Sequence, residues 1–144
     1  MPVTVRNVTI WRKEVDNTPG VLAVVLEPLA KAGADLKVLM GYRLPGEESQ
    51  AAIEVYPVTG KKAIAAARAA GLSPSPIPAL HVEGDNKPGL AHALAAGIAA
   101  AGINITFLVA QVVGRKYASI WGFENTEDAR KAAAVIKKVK APKK

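Results

Sequence analysis

Asp16-Asn17-Thr18-Pro19-Gly20-Val21-Leu22 (DNTPGVL) returns sixty-nine positions later as Asp85-Asn86-Lys87-Pro88-Gly89-Leu90-Ala91 (DNKPGLA). At the same offset Ala30 meets Ala99, Ala32 meets Ala101 and Gly33 meets Gly102. Seven of the 21 positions from Asp16 to Leu36 are identical, and they cluster where backbone geometry is most demanding. Val21/Leu90, Val25/Leu94 and Leu29/Ile98 match in kind and recur every four residues, as on one helix face. A self-similarity at one fixed offset marks a repeated structural unit.

Each unit reads the same way. A strand comes first, Thr9 to Val15 or Leu80 to Gly84. The Asp-Asn-x-Pro-Gly turn follows, with proline expected at the first helical position and Thr18 expected as N-cap. The helix ends at Gly33 or Gly102, where a C′ residue takes positive φ. Pro28 should kink the first helix. Two strands follow in each unit: Asp35 to Tyr42 and Ala51 to Val58, then Asn104 to Gln111 and Tyr117 to Phe123. LPGEES and VGRK are the turns between them. Second helices run from about Lys61 to Ala70 and from about Thr126 to Lys138. The plan is α+β: two tandem ferredoxin-like βαββαβ units, residues 1–74 and 75–144, antiparallel sheets with helices on one face.

The last strand of each unit is irregular. Gly71 to Pro78 (GLSPSPIP) holds three prolines and suits only an edge strand or linker. After the second unit only KAPKK remains. Val3, Val5 and Val8 precede the first strand, so Val3 to Val8 is expected to supply the strand that the C-terminus lacks.

Composition narrows the function classes. The absence of cysteine excludes disulfides, thiolate metal sites and cysteine nucleophiles. The N-terminus has no secretory h-region, and the longest weakly polar run, Gly89 to Ile103, is too short to span a bilayer. A cytoplasmic protein without membrane association is expected. From Thr126 onward seven basic residues face two acids, five of the +7 net charge. Such an end suits nucleic acid or an acidic partner, but also a solubilised helix end, where lysines are favourable; the second reading is preferred.

Asp-Asn-x-Pro-Gly at a strand-to-helix turn, followed by Ala-Gly-x-[Asp/Asn] after the helix, resembles the ACT domain. The pattern stands here as DNTPGVL…AGADL and DNKPGLA…AGINI, so the resemblance covers nearly the whole chain as two tandem units. It implies a regulatory, allosteric protein that binds a free amino acid or similar small zwitterion; no cofactor or metal is expected, and exposed sheet edges point to a homodimer. The implied ligand residues are Asp16, Asn17, Pro19, Gly20, Val21, Leu22 and Asp35. Their counterparts are Asp85, Asn86, Pro88, Gly89, Leu90, Ala91 and Asn104. Some family members carry a histidine two positions before the amide of the motif; Val15 and Gly84 stand there in this chain.

The chemistry of such a turn follows from its parts. A helix N-terminus leaves N–H donors without intrahelical partners and attracts carboxylates. Glycine after proline lets a ligand approach the backbone. Asp16 or Asp85 can receive an ammonium; Asn104 both donates and accepts, whereas Asp35 only accepts, so the two sites should differ. Lys87 stands where Thr18 stands and cannot cap. A bare helix-starting turn is the competing reading, with the chain a ligand-free module acting on a partner enzyme.

No catalytic constellation is found. His81 and His92 have no carboxylate or cysteine at metal-ligand spacing. VTGKK lacks the remaining elements of a phosphate loop, and no serine lies in a Gly-x-Ser-x-Gly turn. The chain is therefore expected not to be an enzyme.

Overall fold

The structure, a computed structural model, describes residues 3–140. Twelve elements follow in order: β1 (Thr4–Val8), β2 (Trp11–Asp16), α1 (Val21–Lys31), β3 (Val38–Leu44), β4 (Glu47–Tyr56), α2 (Lys61–Ala69), β5 (Ser73–Pro74), β6 (Ala79–Asp85), α3 (Leu90–Ala100), β7 (Ile105–Val113), β8 (Lys116–Phe123) and α4 (Thr126–Lys138). They form two compact units. Thr9–Pro76 is one; the residues up to Val8 and those from Ile77 on make the other, so one unit is an insertion in the chain of the other.

Both units contain a four-stranded antiparallel sheet, in the orders β3-β4-β2-β5 and β1-β6-β8-β7. The orders correspond position by position, with β1 where β5 would stand. Thr4 to Val8 pairs with Glu83 to Ala79, and Val3 and Val5 pack against the core of that unit. Proline-rich β5 pairs with β2 only at Trp11 and Arg12, as suits a short edge strand. No helix among the described residues is long and apolar enough to cross a membrane.

Alternation along the strands places one face of each sheet under its helices. In the unit Thr9–Pro76, Trp11, Val15, Ile53 and Val55 meet Val25, Leu29, Ala63 and Ala67. In the other, Leu80, Val82, Trp121 and Phe123 meet Leu94, Ile98, Ala132 and Ile136. Each fully buried large side chain contributes about 1.5–3 kcal/mol. The alanines facing the sheet let α2 and α4 lie close to it despite the few aromatics. In this second core Trp121 Nε1 donates to Ser119 Oγ at 2.8 Å, and Ser119 Oγ donates to the Val82 carbonyl at 3.2 Å.

The helix ends follow the expected glycines. Gly33 and Gly102 both have φ 74°. Gly33 N–H donates to the Ala30 carbonyl and Ala34 N–H to that of Leu29; Gly102 and Ile103 repeat this with Ala99 and Ile98. This double closure is the Schellman motif. The helix starts differ from expectation. Pro19 is not the first helical residue and Thr18 caps nothing: α1 begins at Val21, with Gly20 as its N-cap and no side-chain cap. α1 runs on through Pro28, which can donate no hydrogen bond to the preceding turn. The expected LPGEES turn shrinks to Pro45-Gly46, because Glu47 to Ser49 already belong to β4.

Candidate functional site

The repeated turn has one geometry in both units. Gly20 stands at φ 87°, ψ −9° and Gly89 at φ 86°, ψ 1°. Val21 N–H donates to the Thr18 carbonyl at 3.3 Å, and Leu90 N–H to that of Lys87 at 3.0 Å. Proline at the second position and a left-handed glycine at the third define a type II turn. The proline thus serves the turn before the helix, which is why the expected cap is missing. α1, α2 and α3 each start at a glycine with no side-chain cap, whereas Asn125 Oδ1 accepts from Asp128 N–H at 2.7 Å and caps α4. The positive ends of α1 and α3 are consequently open.

Each turn is braced by the hairpin beside it. Asn17 N–H donates to the Ser49 carbonyl at 2.8 Å, and Asn17 Nδ2 to that of Glu48 at 3.0 Å. Asn86 N–H donates to the Arg115 carbonyl at 2.7 Å. One residue further along, Asp16 pairs across the sheet with Gln50 and Asp85 with Lys116. Gln50 Nε2 donates to Asp16 Oδ1 at 2.9 Å; Lys116 Nζ donates to Asp85 Oδ1 at 2.7 Å. The backbone is repeated, but the chemistry is exchanged. Asp85 is neutralised by an ammonium, whose hydrogen bond and charge hold the carboxyl below the usual carboxylate range. Asp16 meets a neutral amide, in a neighbourhood that also carries Glu47 and Glu48.

The remaining implied ligand residues divide. Asp16, Asn17, Pro19 and Gly20 are exposed around the first turn, with Leu22 41% exposed and Val21 half-buried. In the second, Pro88 and Gly89 are exposed and Ala91 is half-buried, but the Leu90 side chain is committed to the core and its N–H to the Lys87 carbonyl. Asp35 and Asn104 do not join these turns within their units. Each lies beyond the C-terminal end of the helix whose N-terminus the turn forms. An 11-residue helix is roughly 16 Å long, too far for one amino acid to bridge. Asp35 instead accepts from Lys37 Nζ at 2.6 Å, and Asn104 Nδ2 donates to Glu124 at 3.2 Å. Asp35 and Lys37 line a cavity of about 560 Å³ with Gly33, Thr59, Gly60 and Lys61, which the turn does not reach. Among the described residues no three histidine or carboxylate side chains cluster to hold a metal ion.

Gln50 and Lys116 were not among the residues singled out in the sequence. The second hairpin is three residues shorter, so these two correspond at an offset of 66 rather than 69. Aligning the hairpins separately from the helices would have brought them together.

Comparison with known proteins agrees with this organisation. The ACT domain model matches residues 80–141. A protein from Bacteroides thetaiotaomicron has a similar fold, with TM-score 0.72 at 17% identity over 94% of this chain and 99% of its own. The ligand-free regulatory subunit of aspartate kinase from Thermus thermophilus follows at TM-score 0.64 and 18% identity, over 98% of this chain and 99% of its own. The corresponding subunit from Thermus flavus gives 0.59 and 19%, over 94% and 95%. At these identities the likeness is one of fold. No curated protein matches the sequence. Residues 80–141 thus match the ACT domain, and Thr9–Pro76 forms a second unit of the same sheet order.

Proposed function

We infer that the chain is a non-catalytic regulatory protein that binds a free amino acid at the first turn and conveys that binding to a partner enzyme. The observation that carries this reading is the Asp16 carboxylate, held by a neutral amide at the mouth of the uncapped α1. An amino acid needs two complementary poles. Backbone N–H groups at a helix N-terminus suit its carboxylate, and a carboxylate without a cation suits its ammonium. The second turn has the first pole, but Lys116 occupies the second, so it favours an anion without an ammonium. The ACT domain match over residues 80–141 and the fold shared with regulatory subunits of aspartate kinase support a regulatory role. Ligand that binds one packing arrangement more tightly than another biases the protein toward it.

A homodimer fits the exposed edge strands. Leu39 and Tyr42 on β3, and Leu108, Val109, Val112 and Val113 on β7, are large exposed apolar side chains on strands paired on one side only. Such edges invite pairing with a second copy.

The test is thermal unfolding of refolded protein with each common amino acid in turn. A midpoint rise with one or a few amino acids, lost in Asp16→Asn, supports the reading. A flat panel, or a rise that survives the substitution, refutes binding at this turn.

A further inference from the structure

β1 is an edge strand, paired with β6 on one side and open on the other, with Thr4, Arg6 and Asn7 exposed. α4 lies against it. Between them runs a groove of about 400 Å³, lined by Asn7 of β1 and by Arg130, Ala133, Ala134, Lys137 and Lys138 of α4. These α4 residues follow helical spacing along one stripe. The two alanines make a shallow floor in the middle, and cations stand at both ends. Arg130 is engaged by Glu127 in the first turns of the helix. Among the described residues no ion pair within 4.0 Å holds Lys137 or Lys138.

We propose that this groove is a docking site for an acidic, extended peptide segment of a partner protein, which adds as a strand to the open edge of β1 beneath the cations of α4. An edge strand offers alternating N–H donors and C=O acceptors, the complement of another peptide backbone. Arg130 and Lys137 are roughly 10 Å apart along the helix. Side chains on one face of a strand recur about every 6.6 Å. Carboxylates at positions i and i+4, roughly 13 Å apart, come within side-chain reach of Arg130 and of the Lys137–Lys138 end, the latter about 12 Å along the helix at Lys138, while a small apolar side chain at i+2 meets Ala133 and Ala134. Nucleic acid fits less well, because no aromatic side chain lines the groove to stack a base. The inference does not depend on the amino-acid site, since none of the groove residues belongs to either turn.

The test is fluorescence anisotropy on the full chain with a labelled peptide whose glutamates flank a valine at alternate positions. Three comparisons accompany it: the same peptide N-methylated at alternate residues, a thymidine oligonucleotide of equal charge, and the exposed double variant Lys137→Glu/Lys138→Glu. Binding is expected to weaken about tenfold or more in the double variant and to vanish on N-methylation. Hydrogen exchange at residues 4–8 should slow on addition of the peptide. Absence of peptide binding overturns the proposal. Equal binding of the N-methylated peptide overturns strand addition, and an oligonucleotide bound as tightly through the same lysines overturns the assignment to a peptide. The N-methylated peptide leaves the protein unaltered, so that comparison stands even if the lysine variant folds poorly.

Discussion

Lys116 Nζ donates to Asp85 Oδ1 at 2.7 Å, from the same place in its sheet that Gln50 occupies opposite Asp16. One duplicated backbone thus carries two electrostatic environments. Exchanging the two side chains should exchange the behaviour of the turns. Gln50→Lys is expected to place an ammonium on Asp16 and abolish the thermal gain from an amino acid. Lys116→Gln is expected to create a second site. Ligand at a hundredfold its Kd raises stability by about 2.7 kcal/mol per site, a size that calorimetry resolves. Titration stoichiometry is expected to fall from one to zero in the first variant and to rise to two in the second.

The same pair governs the response to acid. The folded Asp85 carboxyl titrates below its ordinary value of 3.8, through the hydrogen bond and then the charge of Lys116. Glu127 is likewise lowered by Arg130. A group lowered on folding stabilises fully above its unfolded value, and the contribution is lost as pH falls through the folded one. The unfolding midpoint is therefore expected to be flat above about pH 5 and to decline below it. The decline is expected to be shallower in Lys116→Gln, read by thermal scans across the acid range.

Tyr42 gives a prediction at the alkaline end. Burial, followed by the hydrogen bond to Glu54 at 2.7 Å, raises its phenol above the ordinary 10.0. The neutral phenol is the form favoured on folding, so this contribution is present below the ordinary value and is lost as pH rises through the raised one. Phenolate absorbance is expected to show one tyrosine titrating earlier in Glu54→Gln than in the parent chain.

Glycine positions separate close approach from backbone conformation. A Cβ at Gly122 would lie 2.1 Å from Phe107 Cε2, so the ring must move. Gly122→Ala is expected to destabilise by about 1–3 kcal/mol, and by less in a Phe107→Ala background. Gly89→Ala meets no atom but forces alanine to φ 86°, costing roughly 1–2 kcal/mol. Gly41→Ala, in open space without positive φ, is expected to be neutral or to stabilise by about 0.4–1 kcal/mol. Denaturant midpoints of the three variants rank these effects.

The fold was legible because its most restrictive positions are repeated. Gly33 and Gly102 marked helix ends, and the turn at Asp16 and Asp85 set the offset that defined two units. α4 spans the range expected from the sequence, Thr126 to Lys138. Local preference misled at Thr18, because the type II turn through Pro19 and Gly20 delays the helix by one turn's geometry. The site was less legible than the fold. Asp35 and Asn104 are near the motif in sequence order but lie beyond the far ends of α1 and α3. Gln50 and Lys116 are distant in sequence but adjacent in register. Register depends on hairpin length and on the irregularity at Arg43/Leu44, which the repeat offset conceals.

The most direct measurement is the backbone amide spectrum of isotope-labelled, refolded protein during titration with each common amino acid. Binding at the first turn is expected to move the Leu22 and Ala23 resonances most, with Gln50 and Ser49 following, and to leave them unmoved in Asp16→Asn. Shifts confined to the cavity around Asp35, Thr59 and Lys61, or no shift with any amino acid, would contradict it.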